Sequence, residues 1–263
     1  MQLQRIMSHT KYLLVILFLT VCVSGCISSG HVAGMGPAAV DKDKALELHI
    51  KLAQGYVNKG NRESARHHLR KAFDIDKKSA EAEATLALLY QLEGERELAE
   101  VSFKKSLKRK KDFTLAQNNY GVFLFDSKRY EEALVQFEKA ANDLDYDGRA
   151  LALVNVGRTS LQLGHKERAK SALEHATILD RNLPEAFIEL AAMNFEAQEY
   201  AGAKQNLDRF MALGQHTPRG LLLGIRLERI FGNKDKEASY LLILKNRFPY
   251  SKEYLEYKRT MMR

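Results

Sequence analysis

The chain has 263 residues, 45% of them hydrophobic and 9% aromatic, ample for a folded core. Only four prolines, and no alternating apolar runs bounded by Gly/Pro clusters, argue against a sheet protein. The formal net charge is +8, and the two cysteines, Cys22 and Cys26, both lie near the start, which excludes a disulfide framework for the folded part.

The chain opens on a basic head carrying Arg5 and Lys11 and no acidic residue. The apolar run that follows, YLLVILFLTVCV, has twelve residues, too short for a bilayer span of roughly 20. A basic head, a short apolar stretch and small residues after it predict a secretory signal over 1–25. Its end, Val23-Ser24-Gly25-Cys26, resembles a bacterial lipobox. Small residues let the peptide enter a peptidase cleft, and the Cys26 thiolate is the nucleophile that takes up a diacylglyceryl group. The resemblance implies cleavage before Cys26 and three acyl chains on it, a stable anchor where one chain binds only marginally. Beyond this covalent lipid no cofactor is expected. Ile27-Ser28, with no Asp after the cysteine, matches the lipoprotein pattern for the outer membrane, periplasmic face. A start at Met7 gives a more usual signal length. Residues 26–42, rich in Gly, Ala and Ser, read as a flexible tether in which His31 is solvated.

From 43 to 263 the same pattern recurs. Leu52-Ala53, Tyr56, Gly60, Ala65, Leu69 and Ala72 are matched 34 residues on by Leu86-Ala87, Tyr90, Gly94, Ala99, Phe103 and Ser106. The next units are Tyr120-Gly121 with Leu124, Ala133, Phe137 and Ala140, then Val156-Gly157 with Ser160, Gly164, Ala169, Leu173 and Ala176. Leu190-Ala191 with Ala203 and Leu207 follow, and a looser sixth unit reads Leu223-Gly224, Leu227, Gly232, Ala238 and Leu242, with one extra residue in its turn. Each unit predicts two short amphipathic helices and a turn, with glycine ending the first helix at positions such as Gly94. A hairpin this short cannot bury its apolar face without neighbours. A period of about 34 residues with this pattern resembles the tetratricopeptide (TPR) repeat, although its usual tryptophan is absent. The expected fold is all-α, a superhelix of about six repeats near 46–79, 80–113, 114–149, 150–183, 184–216 and 217–250, then a polar capping helix.

Within the repeats, Asp41 or Asp43 is placed to cap the first helix. His67 and His68 are adjacent, point to different faces and read as surface residues; no histidine or cysteine set has zinc spacing. The run 104–111, KKSLKRKK, falls at a helix end where cations suit the dipole. It lacks interleaved aromatics, so it reads as a solvated face, or one drawn to anionic headgroups or an acidic partner, and not as a nucleic-acid site. Asp143-Leu144-Asp145-Tyr146-Asp147-Gly148 opens like a calcium loop, but Val154 stands where that loop needs its bidentate Glu. It reads as a longer turn between units. Pro184 and Pro218 mark further breaks. No nucleophile elbow, phosphate-cradling loop or metal quartet is present, so an enzyme is not expected.

Some first-helix residues are not needed for the hairpin cores: Ile50, Val57, Leu88, Val122, Phe125, Val154, Leu161 and Phe195. In register they predict an apolar, protein-binding groove on the concave face, fit for an extended or helical peptide.

The lipobox, the six units and the ending Arg247-Phe248-Pro249-Tyr250-Ser251-Lys252-Glu253-Tyr254 together resemble the PilF/PilW family of type IV pilus biogenesis lipoproteins. In that family the last repeat closes on a similar segment, with one more spacer before the Phe than follows Arg247. The resemblance implies a pilotin: it binds secretin subunits, brings them to the outer membrane and promotes their multimerisation into the pilus pore. The TPR pattern also suits a general periplasmic lipoprotein adaptor regulating cell-wall hydrolases or envelope proteases.

Overall fold

The computed structural model describes residues 41–261, and its thirteen helices account for all the regular structure among them. Cys26, the signal over 1–25, His31 and most of the tether lie outside the described residues. Six antiparallel hairpins follow one another: α1 (Lys42–Asn58) with α2 (Arg62–Ile75), α3 (Ala80–Glu93) with α4 (Arg96–Arg109), α5 (Thr114–Asp126) with α6 (Tyr130–Asn142). Then come α7 (Arg149–Gln162) with α8 (Lys166–Leu179), α9 (Pro184–Glu196) with α10 (Tyr200–Ala212), and α11 (Pro218–Ile230) with α12 (Lys234–Arg247). A last helix, α13 (Lys252–Met261), covers the end.

Local chemistry sets the helix limits. Asn61, Ser79, Thr217 and Asn233 cap their helices through side-chain oxygens that accept from the backbone N–H three residues on. Pro184 and Pro218 sit in the first turn, where no N–H is missed. Gly94 ends α3 in the left-handed region at φ 85°.

Packing within each hairpin pairs a small residue with a large one. Ala53, Ala87 and Ala191 are fully buried, and the side chains 16 residues later, Leu69, Phe103 and Leu207, are nearly so. At Gly121 an added Cβ would lie 2.6 Å from the buried Phe137 ring, so the closest helix approach depends on the missing side chain. Burying Phe103 or Phe137 contributes roughly 1.5–3 kcal/mol each. The core is continuous across units: Ala87, Phe103, Tyr120, Phe137, Val154, Leu173 and Leu190 belong to one cluster.

Stacking also fixes the curvature. From α1 to α9 each first helix touches the next first helix, whereas second helices pack on the first helix of the following unit. First helices therefore line the inner face and second helices the outer one.

The sixth unit departs from its expected register. Tyr240 and Leu244 are its buried second-helix residues, while Ala238 and Leu242 are exposed. The turn has no extra residue: Gly232-Asn233 before α12 repeats Gly60-Asn61 before α2. A two-residue offset turns a helix by roughly 200°, which carries Leu242 from the core side to solvent. The terminal face is closed by α13, whose Tyr254 and Tyr257 pack with Phe248 against Leu222, Ile225, Tyr240 and Leu244.

Candidate protein-binding groove

The inner surface of α5 and α7 carries an exposed apolar stripe. On α5, Leu115 and Val122 are seven residues apart, two helical turns, and each is 39% exposed. On α7, Leu151 is exposed and Arg158 lies seven residues further on. Between the helices is a pocket of about 140 Å³ lined by Val122, Phe125, Asp126, Phe137, Asn155 and Arg158.

Neighbouring groups hold this pocket in shape. The Phe125 ring meets Tyr130 edge-on at 5.2 Å, and the Arg158 guanidinium stands over the same ring at 5.9 Å. Asn155 donates to Asn118 across the two first helices at 3.3 Å. Arg158 is drawn toward Glu189 of α9 at 3.4 Å, and Arg219 of α11 grips that buried carboxylate through two 2.9 Å bonds. The hydrogen bonds to Glu189 raise the Arg219 pKa and outweigh the partial desolvation of its half-exposed guanidinium. On the flank, burial pushes the Glu100 carboxyl up, but hydrogen bonds from Lys104, Arg129 and Tyr120 outweigh it and hold it at about 2. The site is apolar in its wall, with a cation and a carboxylate at its rim.

The residues expected in the groove divide by position. Ile50 and Val154 are buried in the core and offer a ligand no surface. Each stands three residues, one turn, before the small core residue of its helix, Ala53 or Gly157, and so shares its inward side. Val57 and Leu88 are half-buried against the clusters of their own units. Phe195 is likewise half-buried, edge-on to Tyr200 at 5.6 Å. Leu161 lines a second pocket of about 130 Å³ with Lys166, Lys170, Met193 and Glu196 among others. Val122 and Phe125 share one pocket. Sequence reading missed Leu115, Leu151 and Arg158. Their signal was the seven-residue spacing on one face, visible once the inner side of each helix is known.

Two other features take definite places. In the turn after α6, Asp143 accepts from the Thr114 hydroxyl and from the Asp145 N–H, the latter at 3.1 Å. Among the described residues no group of three His, Cys, Asp or Glu side chains is arranged to hold a metal. His67 is exposed, but His68 is half-buried: its Nδ1 lies 3.1 Å from that of His49, and its ring stacks on Tyr56 at 5.5 Å. The surface reading of His68 is thereby corrected, because α1 folds back over α2. No helix among the described residues is long and apolar enough to cross a membrane.

Comparison with known proteins places the fold and its lineage. The tetratricopeptide repeat model matches residues 46–79 and 150–183. The type IV pilus assembly protein PilF of Pseudomonas aeruginosa is 39% identical over 245 residues, covering 92% of this chain and 96% of its own. The solved structure of Pseudomonas aeruginosa PilF overlaps with a TM-score of 0.78 at 40% identity, covering 83% of this chain and 99% of the other. That of PilW, a widely conserved type IV pilus biogenesis factor, gives a TM-score of 0.71 at 27% identity, over 81% of this chain and 98% of the other. The chain belongs to the PilF/PilW family of type IV pilus assembly proteins, tetratricopeptide scaffolds and not enzymes.

Proposed function

We propose that the protein is a pilotin, a lipoprotein anchored in the outer membrane through Cys26 that binds secretin subunits and promotes their assembly there. The observation that carries the binding half is the exposed apolar stripe of Leu115, Val122 and Leu151 on the inner face, beside the Phe125 pocket. Apolar surface kept in water along one groove favours a partner segment with apolar side chains at regular spacing. Arg158 and Asp126 at the rim supply orientation, while the wall supplies most of the affinity. The anchoring half is supported by the lipobox at Val23-Ser24-Gly25-Cys26 and by the family's place in pilus assembly.

Val122→Glu with Leu151→Glu is the direct test of the groove. Both side chains are exposed, so a charge there is compatible with folding, whereas Phe125 is packed against Tyr130. Such a variant, expressed in place of the native protein, should keep its helical spectrum, lose secretin multimers in envelope extracts and abolish twitching. Unchanged multimers and motility would remove the groove from the mechanism. Altered cell-wall turnover with normal multimers would point to a hydrolase adaptor. Cys26→Ser should separately abolish acylation and leave the secretin mislocalised.

A further inference from the structure

We propose that the edge formed by the α2–α3 turn and the C-terminal end of α4 is a second membrane contact, which docks on anionic lipid headgroups and orients the scaffold. The inference rests on the lipid-anchored reading of Cys26.

The geometry begins with where the chain enters the helical unit. His49 of α1 meets His68 of α2, so the antiparallel register sets Lys42, seven residues before the one, opposite Ile75, seven after the other. The chain enters at the edge where α2 ends. The end of α4 is pinned to that edge: Ser106 Oγ donates to the Ala80 carbonyl at 2.7 Å, Arg109 pairs with Glu83 at 3.0 Å, and Lys110 pairs with Glu81 at 2.9 Å.

Charge on the edge is divided. Arg109 and Lys110 are occupied by carboxylates. Lys77, Lys78, Lys105, Lys108 and Lys111 are exposed, and none makes an ion pair among the described residues. The other carboxylates here, Asp74, Asp76 and Asp112, leave the patch cationic; Asp76 already accepts from the Lys78 N–H. Hydrated ammonium groups on long stems suit a surface of phosphates better than a shaped pocket. Each lysine near an anionic membrane strengthens binding by about fivefold, an effect that dies away within a Debye length.

At the next unit the sign reverses. The turn after α6 carries Asp143, Asp145 and Asp147, tied to the start of α5 through Thr114. An anionic surface attracts units one and two and repels unit three, so the inner face of α5 and α7 is held off the membrane where a partner can reach it. The 14 residues between Cys26 and Asp41 span at most about 50 Å when extended, so the anchor keeps this edge near the bilayer but does not orient it.

The test uses the chain from residue 27 onward, which keeps the tether and the compact unit Lys42–Arg263 that holds all four apolar clusters. It should co-sediment with vesicles containing about one-third phosphatidylglycerol, not with pure phosphatidylcholine, and binding should vanish in about 0.5 M salt. Lys105→Gln, Lys108→Gln and Lys111→Gln together should weaken binding by roughly a hundredfold. The charge-matched set Lys59→Gln, Lys234→Gln and Lys245→Gln, away from the edge, should bind within a few-fold of the parent. Absence of binding to anionic vesicles, or equal loss in both sets, overturns the proposal. Circular dichroism excludes misfolding. Failure of the anchor reading would show separately, as unacylated Cys26 in the mature protein with vesicle binding intact.

Discussion

Gly94, Lys128 and Gln198 hold the same place in the turns of the second, third and fifth hairpins, all with positive φ: 85°, 59° and 61°. The glycine accepts this conformation freely, while a side chain there costs about 1–2 kcal/mol. Lys128→Gly should therefore raise stability by up to about 1 kcal/mol, and Gly94→Ala should lower it by about 1 kcal/mol, both read as denaturant midpoints. His68 gives a pH-dependent case. Burial, then the His49 and His67 rings, hold its pKa below the ordinary 6.5. Above that value the ring is neutral folded or unfolded and contributes nothing; as pH falls through about 6.5 the unfolded chain takes the proton first, and stability drops. The melting temperature should fall between about pH 7.5 and pH 5.5, and His68→Gln should flatten the decline. Glu100, held at about 2 against an ordinary 4.5, keeps its stabilising contribution above 4.5 and loses it only as pH falls toward 2, so it does not mask the effect. Gly94 was legible in the sequence because a turn glycine answers to local geometry. The His49–His68 contact was not, because it joins side chains 19 residues apart.

At the level of elements, the joint between the fifth and sixth units is held by charge buried beside the core. Glu228 of α11 is 2% exposed and takes Lys204 of α10 at 2.5 Å and Lys236 of α12 at 3.3 Å. Lys236 also reaches Asp208, so four groups share one network. Glu228→Ala should destabilise the protein by about 1–3 kcal/mol, below the range for a fully buried pair because both lysines reach solvent. A chemical denaturation curve measures it, and a change under about 0.5 kcal/mol would show the network to be incidental. The sequence placed these helices but put the wrong side of α12 inward. By spacing alone Leu242 and Leu244 look alike, until the Tyr240 ring is seen against Gly224, sixteen residues before it. The groove shows the same limit, since hydrophobicity alone did not separate the buried Val154 from the exposed Leu151.

For the molecule as a whole, stability is a chain of neighbour contacts, and each end needs a cover. The cover at the far end is α13, which lays Tyr254 and Tyr257 over Leu222, Ile225 and Leu244. A chain stopped after Pro249 should lose about 2 kcal/mol or more and become protease-sensitive first in α11 and α12, with the earlier units still resistant. Uniform sensitivity along the chain would contradict the neighbour-contact picture. Repeat number, helix order and turn positions were fixed by sequence alone, because each depends on spacing within about 34 residues: a small residue facing a large one, a glycine at a turn, a cap before a helix. Which apolar residues face water, which carboxylate holds which cation, and which lysines lie beside the point of chain entry were decided only by the tertiary structure. Those properties depend on the angle at which one hairpin leans on the next, and that angle is set by side chains from two units at once.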